Sequence, residues 1–450
     1  LTIDEVLQHY LENAVATGMK KTGAERVSGI VMDPKTGEIL AMATNPTFDP
    51  NDPTKPVGED ALKVYNKLSN SKKSEYLNRM WGNALVSDVY EPGSTFKLLT
   101  SSSSLEEGLV TPDTPFYCKG FYEVSGLKIF DADRKPHGAE TLTQAVGQSC
   151  NPVHMQLALN MGKDTFYKHL ELFGITEKTG IDYPGESNPI VTDLEKVGPL
   201  ELASMGFGQG IAITPIQMIT AFSAVVNGGT LYKPYLVEKI TDGEGIVVMR
   251  NTPTAVRKVI SEDVSEKMRS IMEDTVEKGT GKRARIEGYA VGGKTGTAQV
   301  SGGKTGYIRN EYLSSFIGFF PADKPKYVIM AMFMRPQLDI QANEFGGVVA
   351  APVVGNVIRR IIKEEEGFAK DIEKINVNNE MGGAHKSSLE AVNYEDVMPD
   401  LEGMSPQEVL SVFKETDIDI EVVGTGLVVE QKPEAGDSLK DVKKVKIILK

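Results

Sequence analysis

Apolar residues recur at helical spacing from the start of the chain: Ile3, Val6, Leu7, Tyr10, Leu11 and Ala14 predict a helix over 3–16. Two strand-like runs follow, Val27–Met32 and Ile39–Ala43. The turn-forming Asp33-Pro34-Lys35-Thr36-Gly37 joins them as a hairpin. A proline-rich loop leads to a lysine-rich helical stretch and then to Glu91-Pro92-Gly93-Ser94-Thr95-Phe96-Lys97-Leu98-Leu99. There a turn gives way to an apolar helix. Residues 141–170 predict helices broken at Ser149-Cys150-Asn151-Pro152, and a helix opens at Thr214 with Pro215 in first position. Residues 261–278 predict another helix. From Tyr289 the pattern turns to strands, at Ser315–Phe320 and Tyr327–Met334, and a helix follows over 352–364. Helices, then antiparallel strands, then a helix predict an α+β domain, a sheet covered by helices with an all-helical part beside it.

After Gly367 the chain is polar and rich in Asn, Gly and Ser, which predicts a linker over 368–395. A second apolar pattern resumes at about 396. Ser405-Pro406-Gln407-Glu408 reads as a capping box before Val409, Leu410, Val412 and Phe413. Strands are predicted at Ile418–Val423, Leu427–Gln431 and Lys444–Leu449. About 50 residues suffice for one small α/β module.

Composition narrows the classes. With 450 residues the chain has room for two or three domains. Its net charge of −13 and lack of long basic runs argue against nucleic-acid binding. Two cysteines, Cys118 and Cys150, do not make a disulfide scaffold. No stretch reaches the ~20 apolar residues of a membrane span, and the first residue is Leu1, as in a processed or truncated chain.

Three short motifs carry the chemistry. Ser94 and Lys97, at i,i+3 on a helix opening at Ser94, share one face. That places an amine beside a hydroxyl that is otherwise a poor nucleophile. The Ser-x-x-Lys spacing also recurs at Ser69/Lys72 and Ser411/Lys414, where a solvated helix face is the plain reading. Lys-Thr-Gly occurs five times, mostly as turns, but Gly292-Gly293-Lys294-Thr295-Gly296-Thr297 has so little bulk that it can run close to a ligand backbone. Gly288–Thr295 also fits a phosphate-binding loop, yet no helical pattern follows it, as that loop requires. Ser149-Cys150-Asn151 alone is an ordinary helix cap. The specific feature is the ordered triple of Ser-x-x-Lys, Ser-x-Asn and Lys-Thr-Gly-Thr.

On these motifs, with Val31–Met42, Tyr90–Lys97 and Gly206–Gln217, residues 1–367 resemble a class B penicillin-binding protein. The fold of that family is shared with serine β-lactamases. Residues 396–450 resemble one PASTA repeat, a pairing similar to sporulation-type or vegetative-division members. The resemblance implies a D,D-transpeptidase that cross-links peptidoglycan stem peptides and is acylated by β-lactam antibiotics. It implies Ser94 as nucleophile, Lys97 as general base, Ser149 as proton relay and Asn151 as a hold on Lys97 and the substrate amide. Lys294, Thr295, Gly296 and Thr297 would bind the substrate carboxylate, and the backbone N–H groups of Ser94 and Thr297 would form the oxyanion hole. An extracytoplasmic setting, an N-terminal membrane helix outside this chain and a glycosyltransferase partner are also implied. A D,D-carboxypeptidase of the same fold, or a β-lactam or wall-fragment sensor or scaffold, is the alternative. No cofactor is required for the chemistry. In related proteins the loop after the Ser-x-x-Lys helix carries a Cys and His-Gly pattern, which makes Cys118, Asp131, His137 and Cys150 candidate ligands of a structural zinc, with Asp133 and His154 as substitutes. The plain reading is two buried thiols and a surface histidine.

Overall fold

The computed structural model describes residues 1–132, 134–301, 306–338 and 346–380, and parts of 398–449. The chain divides into two units, Leu1–Asp371 and Ile372–Lys450.

The first unit is built on a five-stranded antiparallel sheet. Its strands are β1 (Arg26–Met32), β2 (Ile39–Asn45), β3 (Gly292–Ser301), β4 (Tyr307–Phe320) and β5 (Tyr327–Met334), in the order β3-β4-β5-β1-β2. Side chains alternate across a strand, and here the alternation sorts residues into two cores. In β5, Val328, Met330 and Met332 join the core under the helical lobe, whereas Ile329, Ala331 and Phe333 join the opposite core. Because both faces are covered, the strand reads as a continuous apolar run rather than an alternating one.

Helix α1 (Glu5–Thr22) covers the outer face with Leu7, Leu11 and Val15. Asp4 caps its start, accepting from the N–H groups of Val6 and Leu7 at 2.9 Å each. Gly23 ends it in the left-handed conformation at φ 60°. The helical lobe lies between β2 and β3 in sequence. It includes α2 (Lys97–Glu106), α3 (Leu142–Gln148), α4 (Asn151–Met161), α5 (Pro215–Val226) and α6 (Glu262–Glu277). Every residue of α5 is buried, as expected for a helix apolar on all sides. Thr214 and Gln217 cap it reciprocally.

Two features depart from the sequence expectation. Residues 115–141 fold as paired short strands, Pro115–Cys118 with Gly138–Thr141 and Phe121–Val124 with Leu127–Phe130. Helix α7 (Ala351–Glu380) runs through 368–380, which composition assigns to the linker. Residues 381–395 of that linker lie outside the described residues.

In the second unit β6 (Asp419–Val423), β7 (Val428–Lys432) and β8 (Lys444–Leu449) form a sheet in the order β6-β8-β7. Val445, Ile447 and Leu449 alternate inward to meet Met398, Leu401, Val409 and Phe413. The capping box at 405–408 lies outside the described residues. Among the described residues no helix is long and apolar enough to cross a membrane.

Leu11 is fully buried and packs over Gly29 of β1, where a Cβ would lie 2.7 Å from its Cδ1. Leu11→Ala is expected to cost about 3 kcal/mol of stability, read as a lower urea midpoint at unchanged m-value.

Candidate active site

Ser94 lies in a 3₁₀ turn, Gly93–Thr95, and the α-helix begins at Lys97 rather than at Ser94. Residues i and i+3 eclipse in such a turn, so the serine and lysine still share a side. Three backbones meet here with no room for side chains. A Cβ on Gly93 would lie 2.6 Å from the Thr297 carbonyl oxygen, and one on Gly208 would lie 2.2 Å from that of Gly93. A Cβ on Gly296 would lie 2.4 Å from Ser315 Oγ and 2.9 Å from Thr95 Cγ2. Both Gly93 and Gly208 have positive φ, at 53° and 84°. The Gly93 N–H donates to the Gly208 carbonyl at 3.0 Å, and Tyr90 and Ile213 exchange two backbone bonds. Glu91 accepts from the Gly210 N–H at 2.9 Å and from the Tyr307 hydroxyl, which fastens the turn at its rim. Ser94 itself is half-buried, its hydroxyl without a hydrogen-bond partner among the described residues.

Ser149 is the hub opposite. It ends α3 at φ 62°, a left-handed conformation uncommon for serine. Lys97 Nζ donates to its carbonyl oxygen and, at 3.1 Å, to its Oγ. Lys294 Nζ, from near the start of β3, donates to the same Oγ at 2.9 Å and to the Thr295 carbonyl at 3.1 Å. Both lysines are fully buried. Burial pushes Lys97 down to about 8, against the opposing pull of Asp131, Cys150 and Glu140. Burial pushes Lys294 down strongly, and the charge of Lys97 adds to that. Ser149 Oγ, accepting from two ammonium groups, keeps its own proton free to donate.

The remaining motif residues take varied places. Asn151 opens α4, and its backbone N–H donates to Asp131 Oδ1 at 3.2 Å. Among the described residues no hydrogen bond joins its side chain to Lys97, whose expected partner is replaced by Ser149. Thr297 Oγ1 accepts from the Gly346 N–H at 3.2 Å, and Thr295 donates to Thr280 Oγ1 at 3.0 Å. Gly288–Thr295 runs into strand β3, with no helix to hold phosphates, so the phosphate-loop match is incidental.

Behind Ser149, ligand atoms of Cys118, His137, Glu140 and Cys150 lie within 4.8 Å of one another. His137 Nδ1 and both Glu140 carboxylate oxygens are buried without a hydrogen-bond partner. Asp131 stands beside the group, its Oδ2 3.7 Å from His137 Nδ1 and 4.0 Å from Cys118 Sγ. Its Oδ1 is taken by the N–H groups of Ala132 and Asn151. Glu140 therefore stands where the sequence suggested Asp131. His154 is excluded as a substitute, because its ring nitrogens bond Cys150 O at 2.7 Å and Ser101 Oγ at 3.1 Å. Asp133 lies outside the described residues. Glu140 was open to detection only as a carboxylate three residues after His137, a weak signal in a short strand.

A serine in a tight turn, a buried amine whose charged form burial disfavours and a second buried cation at an edge strand make a site suited to nucleophilic acyl transfer. Residues 27–359 match the penicillin binding protein transpeptidase domain, and residues 396–450 match the PASTA domain. The chain belongs to the penicillin-binding protein transpeptidase family. It is 37% identical to Stage V sporulation protein D of Bacillus subtilis over its whole length, covering 65% of that protein. It is 32% identical to penicillin-binding protein PbpB of Mycolicibacterium smegmatis, with 78% of this chain and 52% of that protein aligned. It thus spans about two thirds or less of these relatives. Penicillin binding protein 3 of Mycobacterium tuberculosis, solved with aztreonam, superposes with a TM-score of 0.70 at 29% identity, over 81% of this chain and 79% of that one. The D,D-transpeptidase domain of a peptidoglycan glycosyltransferase from Eggerthella lenta gives 0.66 at 26% identity, covering 81% and 82%.

With Lys97 as proton acceptor for Ser94, only its neutral form is active, so acylation is expected to rise with pH through about 8 and then level off. Stopped-flow acylation by a reporter penicillin between pH 6 and 10 reads this. A flat profile would remove Lys97 from that role.

Proposed function

We propose that the chain is the catalytic part of a peptidoglycan D,D-transpeptidase. The observation that carries this reading is the pair of buried lysines converging on one serine hydroxyl, across a seam from Ser94. Neutral Lys97 takes the Ser94 proton as Oγ attacks the carbonyl of a D-Ala-D-Ala stem. The oxyanion is held by the N–H groups of Ser94 and Thr297, a contribution of about 3 kcal/mol per donor. Ser149 gives its proton to the departing D-Ala amine and is resupplied by the Lys97 ammonium. An amine of a neighbouring stem then attacks the acyl-enzyme and forms the cross-link. Lys294, Thr295 and Thr297 receive the substrate's terminal carboxylate, with Gly296 leaving room beside them. Among the described residues strand β3 is paired on one side only, by β4, which leaves an edge for an extended peptide. A β-lactam acylates the same serine. Stem peptides place the protein outside the cytoplasm, held by a membrane anchor. A glycosyltransferase partner is supported by the Eggerthella lenta protein, whose name joins the two activities. Stage V sporulation protein D supports a role in sporulation, and a role in vegetative division is the alternative.

Fluorescent penicillin is expected to label the wild type and not Ser94→Ala. Labelling retained in the mutant would overturn the assignment. Turnover of a D-Ala-D-Ala thioester with an amine acceptor distinguishes the alternatives. Transfer to the amine marks a transpeptidase, hydrolysis alone a carboxypeptidase, and labelling without turnover a sensor or scaffold.

We also propose a structural zinc held by Cys118, His137, Glu140 and Cys150. The buried, unpartnered atoms of His137 and Glu140 support it, as does the Cys/His/carboxylate donor set. The ion would fix the 115–141 ribbon to the Ser149 turn. Elemental analysis is expected to find about one zinc per chain, lost in Cys118→Ser and weakened in Glu140→Gln. Purified wild type without metal would end the idea.

A further inference from the structure

Thr280 lies in the Lys278-Gly279-Thr280-Gly281 segment just past α6 and has the sequence of a bare turn. Its surroundings give it more to do. Its N–H donates to the Gly147 carbonyl at 3.1 Å, and its hydroxyl donates to the same oxygen at 3.3 Å. Thr295 Oγ1 donates to Thr280 Oγ1 at 3.0 Å and itself accepts from Lys294 Nζ at 3.4 Å. Each hydroxyl has one proton to give. The chain therefore has one direction, from the Lys294 ammonium through Thr295 and Thr280 to the carbonyl of Gly147. Gly147 lies two residues before Ser149, on the last turn of α3. Thr280 thus joins the strand that carries Lys294 to the helix that presents Ser149.

The surrounding backbone is packed to permit this. A Cβ on Gly279 would lie 2.6 Å from the Gly147 oxygen. One on Gly347 would lie 2.3 Å from the Thr280 oxygen and 3.3 Å from Thr295 Cγ2. Thr280 is itself exposed, whereas Thr295, which donates to it, is buried.

We propose that Thr280 is a positioning residue for the carboxylate side of the site, holding the Thr295 hydroxyl proton away from the cleft until an anionic ligand claims it. This rests on the reading that Lys294 and Thr295 receive the ligand carboxylate. On binding, Thr295 turns its proton to the carboxylate and exchanges a neutral hydrogen bond for a charge-assisted one. Thr280 keeps its bond to Gly147, so the α3 end stays in place while Thr295 switches. Without the Thr280 oxygen, the Thr295 hydroxyl has no fixed starting orientation and the link from β3 to α3 is cut.

The test compares Thr280→Val, which keeps the shape and loses the hydroxyl, with Thr280→Ser, which restores it. Each is assayed for acylation of Ser94 by a D-Ala-D-Ala-type thioester bearing a free carboxylate and by the methyl ester of the same compound. Thr280→Val is expected to lower kcat/KM for the acid about tenfold, chiefly through KM. The ester should be unaffected, and Thr280→Ser should return the acid to near the wild-type value. The acid-to-ester ratio is read on one preparation, so a loss of folded protein cancels. An unchanged ratio in Thr280→Val, whether both donors fall together or neither does, overturns the proposal. So does a loss that Thr280→Ser does not restore. A wild-type protein that neither donor acylates at Ser94 defeats the underlying functional reading instead.

Discussion

Two ammonium groups buried around one hydroxyl set the terms for the rest of the structure. Taking a lysine out of water costs several kcal/mol unless its charge is met or shed. Here the compensation is meagre: Ser149 supplies two oxygens, Thr295 two more, and the acidic group formed by Asp131 and Glu140 lies behind. Burial therefore disfavours the charged form of both lysines, and a neutral amine is what a serine nucleophile needs. That state persists only while water stays out and the spacing holds. Helix α2 brings Lys97 from the lobe, and β3 brings Lys294 from the sheet. The junction of sheet and lobe, with Phe222 against Phe319 in one continuous core, closes the space behind them.

Ser149 has to be held against this crowding in a backbone conformation that serine rarely adopts. Three attachments converge on its turn. The lysines bind its front, and Asp131 binds the Asn151 N–H next door. The turn after α6 grips Gly147 two residues earlier. Cys150 adds a fourth, because its thiol lies among the buried atoms of Cys118, His137 and Glu140. The paired short strands of 115–141 are thus more than decoration on the lobe. They carry Asp131 and most of that group to the back of the turn.

Much of this was legible in the chain. The long strands β1, β2 and β5 and the helices α5 and α6 carry apolar patterns that packing had only to confirm. The order of Ser94/Lys97, Ser149/Asn151 and Lys294–Thr297 along the chain marks the segments that meet at Ser149. The rest was hidden for physical reasons. Strands of four residues, few of them buried, are too short to show a period, so 115–141 gave no strand signal. The far part of α7 ends in Asn376, Asn378 and Asn379 and runs on into Gly and Ser, so its composition reads as linker. Glu140 is acidic in a short strand, and only burial reveals that its oxygens lack partners. Thr280 resembles any residue of a turn until β3 is laid beside it.

The turn bearing Ser94 meets β3 and the 208 loop at Gly93, Gly208 and Gly296, and at the first two main chain lies against main chain. A contact made of main chain has no side chain to exchange, so it offers selection almost nothing to vary. Variation in what this site accepts is thereby displaced outward, to rim residues such as Tyr307. The immediate frame of Ser94 stays the same while its doorway changes.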